Sequence, residues 1–296
     1  MRVCILGRFD GPDKPDTEHL AASQLEQYGI EVSRITASRP LVSHIQAIRR
    51  CDVVYGVAHG FSYRFFALVK ALGKRSVNHW IGTDTWRAIS NPAEARLARL
   101  TNHFVDKQLA IAPHLATELA SVGLQLEEVP IVPCFEGTDM RVAEAGQARV
   151  LAYLPDERPN FYGADIIYKL AEEFTQVSFV VVAGTAQVQP RLPNIEYVGY
   201  VQNMNEVYER SSILIRMTKH DGLPKMVLEA LVRGYQVIYK HGFPYCHQAS
   251  DLEEVASRLT QIIAGGCPVN HEGHRYVLEH YDQQLAIKQL VAVLQR

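Results

Sequence analysis

The sequence has few cysteines and none in a ligand pattern. Its five, Cys4, Cys51, Cys134, Cys246 and Cys267, are widely spaced with no C-x-x-C pair, so neither a disulfide framework nor a zinc site is indicated. No apolar run approaches the roughly 20 residues of a membrane-spanning helix. The formal net charge is −2, which gives no basis for a duplex-binding surface with its basic stripe. Gly7 and Gly11 have the wrong spacing for a G-x-G-x-x-G loop, which argues against a nicotinamide or flavin dinucleotide there. No D-x-D pair is available to a metal, because Asp10, Asp13 and Asp16 are each separated by two residues. The chain enters an apolar strand at once, without a signal-peptide pattern. These absences lead to the expectation of a cytoplasmic protein that needs no metal and no cofactor, with peripheral contact to a membrane left open.

What is present is a long alternation of short apolar runs and amphipathic segments. The chain has 296 residues, 47% of them hydrophobic, enough for one large core or two modest ones. Arg2 to Gly7 reads as a buried strand, Thr17 to Tyr28 as a helix and Ile30 onward as a second strand, the opening of a parallel doubly wound sheet. Gly7 ends the first strand and admits a ligand close to the backbone. His59 stands beyond the third strand, Asp52 to Ala58, where ligands of such sheets bind; it is either a contact or an exposed loop histidine. The helix Ser62 to Leu72 carries Tyr63, Phe65 and Phe66 with Arg64 and Lys70. It either packs its apolar face on the sheet or touches a membrane surface. The rhythm restarts at Arg149, after a polar stretch near 135–147.

Two stretches concentrate chemistry. In the first, Ser76 to Asp84, a strand opens into His79, Gly82 and Asp84. Alternation along a continuing strand would place His79 and Ile81 on one face, and Asp84 is also suited to cap the next helix. In the second, Ile215 to Gly234, a short strand delivers Arg216, Lys219, His220 and Asp221 to a turn at Gly222. A helix then opens near Leu223, with Pro224 in its first turn and Gly234 past its end. Its unpaired N–H groups and partial positive charge suit a phosphate. Glu229 lies two turns in, on the face of Lys225.

The second stretch resembles the C-terminal-domain signature of retaining glycosyltransferases with the GT-B fold: an acidic residue, Gly, then Glu-Ala on a helix (E-x7-E). Here it reads Asp221-Gly222 to Glu229-Ala230, with Asp one methylene shorter than the usual Glu. The first stretch resembles the H-W-I-G-[ST]-D segment of one branch of that family. The chain departs from the family where Tyr162-Gly163 replaces Lys-Gly and where no Arg follows the strand Arg149 to Leu154.

The resemblance implies an α/β chain of two Rossmann-like doubly wound domains facing a central cleft. The first would span 1–140 and hold the acceptor; the second would span 141–281 and hold a nucleotide-sugar donor; a last helix, about 282–296, would cross back onto the first. It implies transfer of a sugar to an acceptor hydroxyl with retention and without a metal. The acceptor is left open among a glycan, a lipid carrier, a metabolite and a modified nucleic acid. His79 and Asp221 become the candidate catalytic residues. The candidate donor contacts are Arg158, Tyr200, Val201, Arg216, Lys219, Gly222, Leu223, Pro224, Lys225 and Glu229, with Glu229 accepting from the ribose and Tyr200 and Val201 beside the base. Gly7 and His59 are acceptor-side candidates. The alternatives are a nucleotide-sugar epimerase or hydrolase, and a non-catalytic nucleotide-sugar-binding relative.

Overall fold

The computed structural model describes residues 1–9, 16–36, 38–135, 138 and 148–296. The expected domain boundary at 140–141 lies outside these residues. The chain divides into two units. Unit 1 comprises Met1–Pro133, His220–Leu223 and Asp282–Arg296; unit 2 comprises Cys134–Lys219 and Pro224–Tyr281.

The apolar runs of unit 1 form six parallel strands: β1 (Arg2–Leu6), β2 (Glu31–Ile35), β3 (Val53–Val57), β4 (Arg75–Trp80), β5 (Lys107–Ala110) and β6 (Glu127–Glu128), in the order β2-β1-β3-β4-β5-β6. β1 and β3 show why: Val3, Cys4, Ile5, Val53, Val54 and Tyr55 are all fully buried, as expected of strands covered on both faces. Each such Val or Ile contributes about 2 kcal/mol of burial. The crossovers are α1 (Thr17–Gln27), α2 (Leu41–Arg50), α3 (Tyr63–Ala71), α4 (Thr83–Ser90), α5 (Pro92–Asn102) and α6 (Pro113–Ala120). α3 settles the choice posed by its aromatics: Phe66 and Val69 are buried, and Phe65 and Leu68 pack on the cluster around Cys4, Leu6, Ile35 and Val54. Its apolar face points inward, not to a membrane.

Unit 2 repeats the plan with β7 (Arg149–Tyr153), β8 (Ser178–Val182), β9 (Ile195–Gly199), β10 (Ile213–Arg216), β11 (Gln236–Tyr239) and β12 (His247–Gln248), in the order β12-β11-β10-β7-β8-β9. Its helices are α7 (Ala164–Glu173), α8 (Asn205–Tyr208), α9 (Lys225–Val232), α10 (Leu252–Ala264) and α11 (His271–His280); α12 (Gln283–Gln295) belongs to unit 1. The strand order reverses between β1 and β3 in unit 1 and between β7 and β10 in unit 2. In open parallel sheets such switch points leave a crevice at the carboxyl ends of the strands.

One local expectation changes. The helix expected from Leu223 begins at Lys225, and Pro224 is its N-cap residue with φ −78° and ψ 73°; a proline ring disfavours helical geometry in the residue before it, Leu223. After β7 a 3₁₀ turn, Pro159–Phe161, is separated from α7 by Gly163, which takes a left-handed φ of 84°. α8 is a single turn.

Candidate functional site

At the switch point of unit 2, β7 ends in Tyr153 and β10 in Arg216. The Tyr162 ring packs edge-on against Tyr153 at 5.0 Å, and the Arg216 guanidinium lies 6.0 Å from the centre of the Tyr162 ring. Arg158 sits 5.2 Å from the ring of Phe161. Burial raises the Tyr153 phenol above its usual range, and the positive charges of Arg216 and Arg158 pull it back, which places both cations around that ring. The loop bearing Arg158 is pinned: Asp156 accepts from the backbone N–H and hydroxyl of Thr185 at 3.0 and 2.8 Å and from Gln189 at 2.8 Å. Lys219 is exposed, and its backbone N–H donates to Phe161 at 2.8 Å.

Glu229 stands two turns into α9. Its Oε2 accepts from the Tyr208 hydroxyl at 2.7 Å. Burial lifts its carboxyl above the usual carboxylate range, against the Tyr208 bond and the charges of Arg233, Lys225 and Arg216. Arg233 closes the far side, 4.4 Å over the Tyr208 ring and 2.8 Å from the Glu229 carbonyl. Arg158, Arg216, Lys225 and Glu229 thus gather at one end of the unit 2 sheet. Tyr200, 52% exposed, follows Gly199 at the end of β9, and Val201 is half-buried beside it.

In unit 1 the segment His220–Leu223 packs against the turn after β4. A Cβ on Gly222 would meet the Ile81 carbonyl oxygen at 2.0 Å, and Gly82, at φ 132°, faces the Gly222 backbone. His220 is buried, donates through Nε2 to Glu118 at 2.8 Å and packs on Trp86 at 5.4 Å. His114 Nε2 donates to the Asp221 carbonyl at 3.0 Å. Asp84 holds the turn from within: its Oδ1 accepts from the N–H groups of Ile81, Gly82 and Thr85, each at 3.0 Å.

His79 lies elsewhere than its candidate role requires. It is fully buried, with Nδ1 2.7 Å from the Tyr55 hydroxyl, and burial pushes its imidazole down to about 4. β4 stops at Trp80, so Ile81 is not on a strand with it. His79 has no surface to offer a sugar in this conformation. Among the described residues, five buried side-chain polar atoms lack a partner; four belong to Asn78, His79, Asp84 and Thr85, so unit 1 concentrates its uncompensated polarity in that stretch. Gly7 is occupied too: a Cβ there would meet Glu18 at 2.9 Å, so its smallness serves the packing of α1. His59 bonds to Ser62 at 3.0 Å and is pushed down to about 4 by burial and then by Arg8.

Tyr208, Tyr153, Trp86, His114 and Glu118 escaped the reading of the sequence. Each lies in an ordinary helix or strand pattern, and each acquires its partner only through contacts distant in the chain.

No family model matches this chain, and no curated protein matches it in sequence. Solved structures do. HepE from Anabaena in complex with UDP-glucose aligns with a TM-score of 0.79 at 13% identity, covering 100% of this chain and 99% of that one. Sucrose-phosphate synthase from Thermosynechococcus elongatus aligns with a TM-score of 0.80 at 11% identity over 99% and 98% of the two chains. A glycosyltransferase from Rickettsia africae aligns with a TM-score of 0.68 at 10% identity over 99% and 97%. Likeness at such identities speaks for architecture: the chain has the two-domain α/β GT-B fold.

Proposed function

We propose that this chain is a glycosyltransferase that moves a sugar from a nucleotide-sugar donor to an acceptor hydroxyl, with retention and without a metal. The observation that carries the reading is the gathering of Arg158, Arg216, Lys225 and Glu229 at the switch point of unit 2, on a fold shared with HepE, whose structure holds UDP-glucose. Breaking the sugar–phosphate bond leaves negative charge on the departing diphosphate. Cations and a helix N-terminus fixed in advance stabilise that charge without reorganising. Arg216 supplies the charge that Tyr162 cannot: its guanidinium reaches over the ring at the position where the resemblance called for lysine.

Glu229 binds the ribose. Tyr208 occupies Oε2, and Oε1 remains to accept from a sugar hydroxyl. Asp221 holds a hydroxyl of the transferred sugar or carries part of the ring charge, with its backbone fixed by His114. Tyr200 and Val201 lie beside the base. No side chain is assigned as nucleophile; the proton of the acceptor hydroxyl leaves with the diphosphate. The experiment that tests this is release of nucleoside diphosphate from UDP-sugars with and without an acceptor panel. Release that requires an acceptor supports transfer; release without one supports a hydrolase, and conversion to a second nucleotide sugar without net release supports an epimerase.

A further inference from the structure

The chain as a whole carries a net charge of −2, yet residues 38–75 hold seven lysines and arginines against a single carboxylate, Asp52. Three of these cations, Arg39, Arg49 and Arg50, stand on α2 or just before it; Arg64, Lys70, Lys74 and Arg75 lie on α3 or around the start of β4. α2 buries His44 and Ile48, and the 3.6-residue period then turns Val42, Gln46, Arg49 and Arg50 outward together. Leu41 and Val42, which open the helix, are 62% and 64% exposed. Arg39 precedes them and is exposed as well. Between α2 and the edge strand β2 runs an open groove of about 420 Å³, lined by one carboxylate, Glu31, against Arg2, Arg34, Arg39 and Arg50.

The charges on this face are unequal in kind. Arg34 is neutralised by Glu26 through two bonds of 2.7 Å, and Arg2 by Asp52 at 3.3 Å. Arg39, Arg49 and Arg50 have no carboxylate in ion-pair range among the described residues. Uncompensated cations beside two adjacent exposed aliphatic side chains fit a surface that offers both fixed negative charge and an apolar layer below it. A nucleic acid backbone offers only the first, and Leu41 and Val42 would gain nothing against it.

We infer that α2 and the groove beside it form a docking surface for an anionic lipid bilayer, with Leu41 and Val42 entering the headgroup layer and Arg39, Arg49 and Arg50 meeting lipid phosphates. The inference is independent of the nucleotide-sugar reading, since it uses none of the residues at the unit 2 switch point.

The test is co-sedimentation of the full chain with vesicles of phosphatidylcholine alone or with about one third phosphatidylglycerol, at low and at high salt. Two double variants accompany it, Arg49→Glu/Arg50→Glu and Leu41→Ser/Val42→Ser. All four positions face outward, so thermal unfolding is expected to match the wild type, and so is UDP binding in solution. The expected result is retention by the anionic vesicles only, lost at high salt and reduced about tenfold in each variant. Equal retention by both vesicle types, or retention by anionic vesicles that survives both double variants, overturns the inference.

Discussion

Tyr208 on α8 and Glu229 on α9 are 21 positions apart in the chain and share a hydrogen bond of 2.7 Å. Burial raises the pKa of both groups, Tyr208 well above the usual phenol range. A carboxylate kept where its charge is costly, with a phenol and nearby cations to offset the cost, lowers stability, which is the pattern expected if Glu229 serves binding.

Replacing Glu229 with Gln is therefore expected to stabilise the protein by about 1 kcal/mol at neutral pH while weakening nucleotide binding. The sign follows from proton linkage. The folded chain holds the Glu229 proton more tightly than the unfolded chain, whose carboxyl titrates near 4.5. Above that pH the unfolded state ionises first, and the native state loses relative stability until pH passes the folded value. Urea unfolding of the wild type and Glu229→Gln at pH 4 and pH 7 checks this: the variant's advantage should appear at the higher pH.

His79 gives the opposite limb. Its imidazole is pushed from 6.5 down to about 4, so between those values the unfolded chain binds the proton and the folded chain does not. Stability falls as pH drops through this window, by about 3 kcal/mol if His79 alone contributes. His79→Gln is expected to flatten that acid limb in unfolding curves at pH 4.5 and 7, whatever its effect at neutral pH.

Gly222→Ala tests the packing of the segment His220–Leu223. The added Cβ would meet the Ile81 carbonyl oxygen at 2.0 Å, and backbone cannot yield as a flexible side chain does. A loss of about 2 kcal/mol or more is expected, together with loss of turnover. Thermal unfolding and a diphosphate-release assay on the same preparation read both effects.

The fold was legible because parallel strands buried on both faces announce themselves as apolar runs; β1, β3, β8 and β10 are instances. α9 was legible as well, since Gly222, Pro224 and Gly234 punctuate it, although its first turn lies two residues later than expected. The candidate site was legible where chemistry and local geometry coincide, as at Arg216, Lys225 and Glu229. It was not legible where partners come from afar. No pattern around Tyr208 marks it as the donor to Glu229, and nothing near Glu118 marks it as the acceptor for His220. His79 shows the converse: its place in the strand was readable, but complete burial depends on the helices that cover the sheet.

Glu118→Gln removes the carboxylate that His220 faces at 2.8 Å while keeping an acceptor of the same shape. Because the pair fixes the segment carrying Asp221, turnover is expected to fall about tenfold with little change in nucleotide affinity. Steady-state kinetics paired with UDP binding separate the two; a loss of affinity alone would contradict this assignment.

The most direct measurement is calorimetric titration of the wild type and Glu229→Ala with UDP, GDP, ADP and TDP, without added metal. One of the four is expected to bind in the micromolar range, and Glu229→Ala to lose that binding. The absence of heat with all four, or equal binding by the variant, would contradict the placement of the nucleotide-sugar donor at the unit 2 switch point.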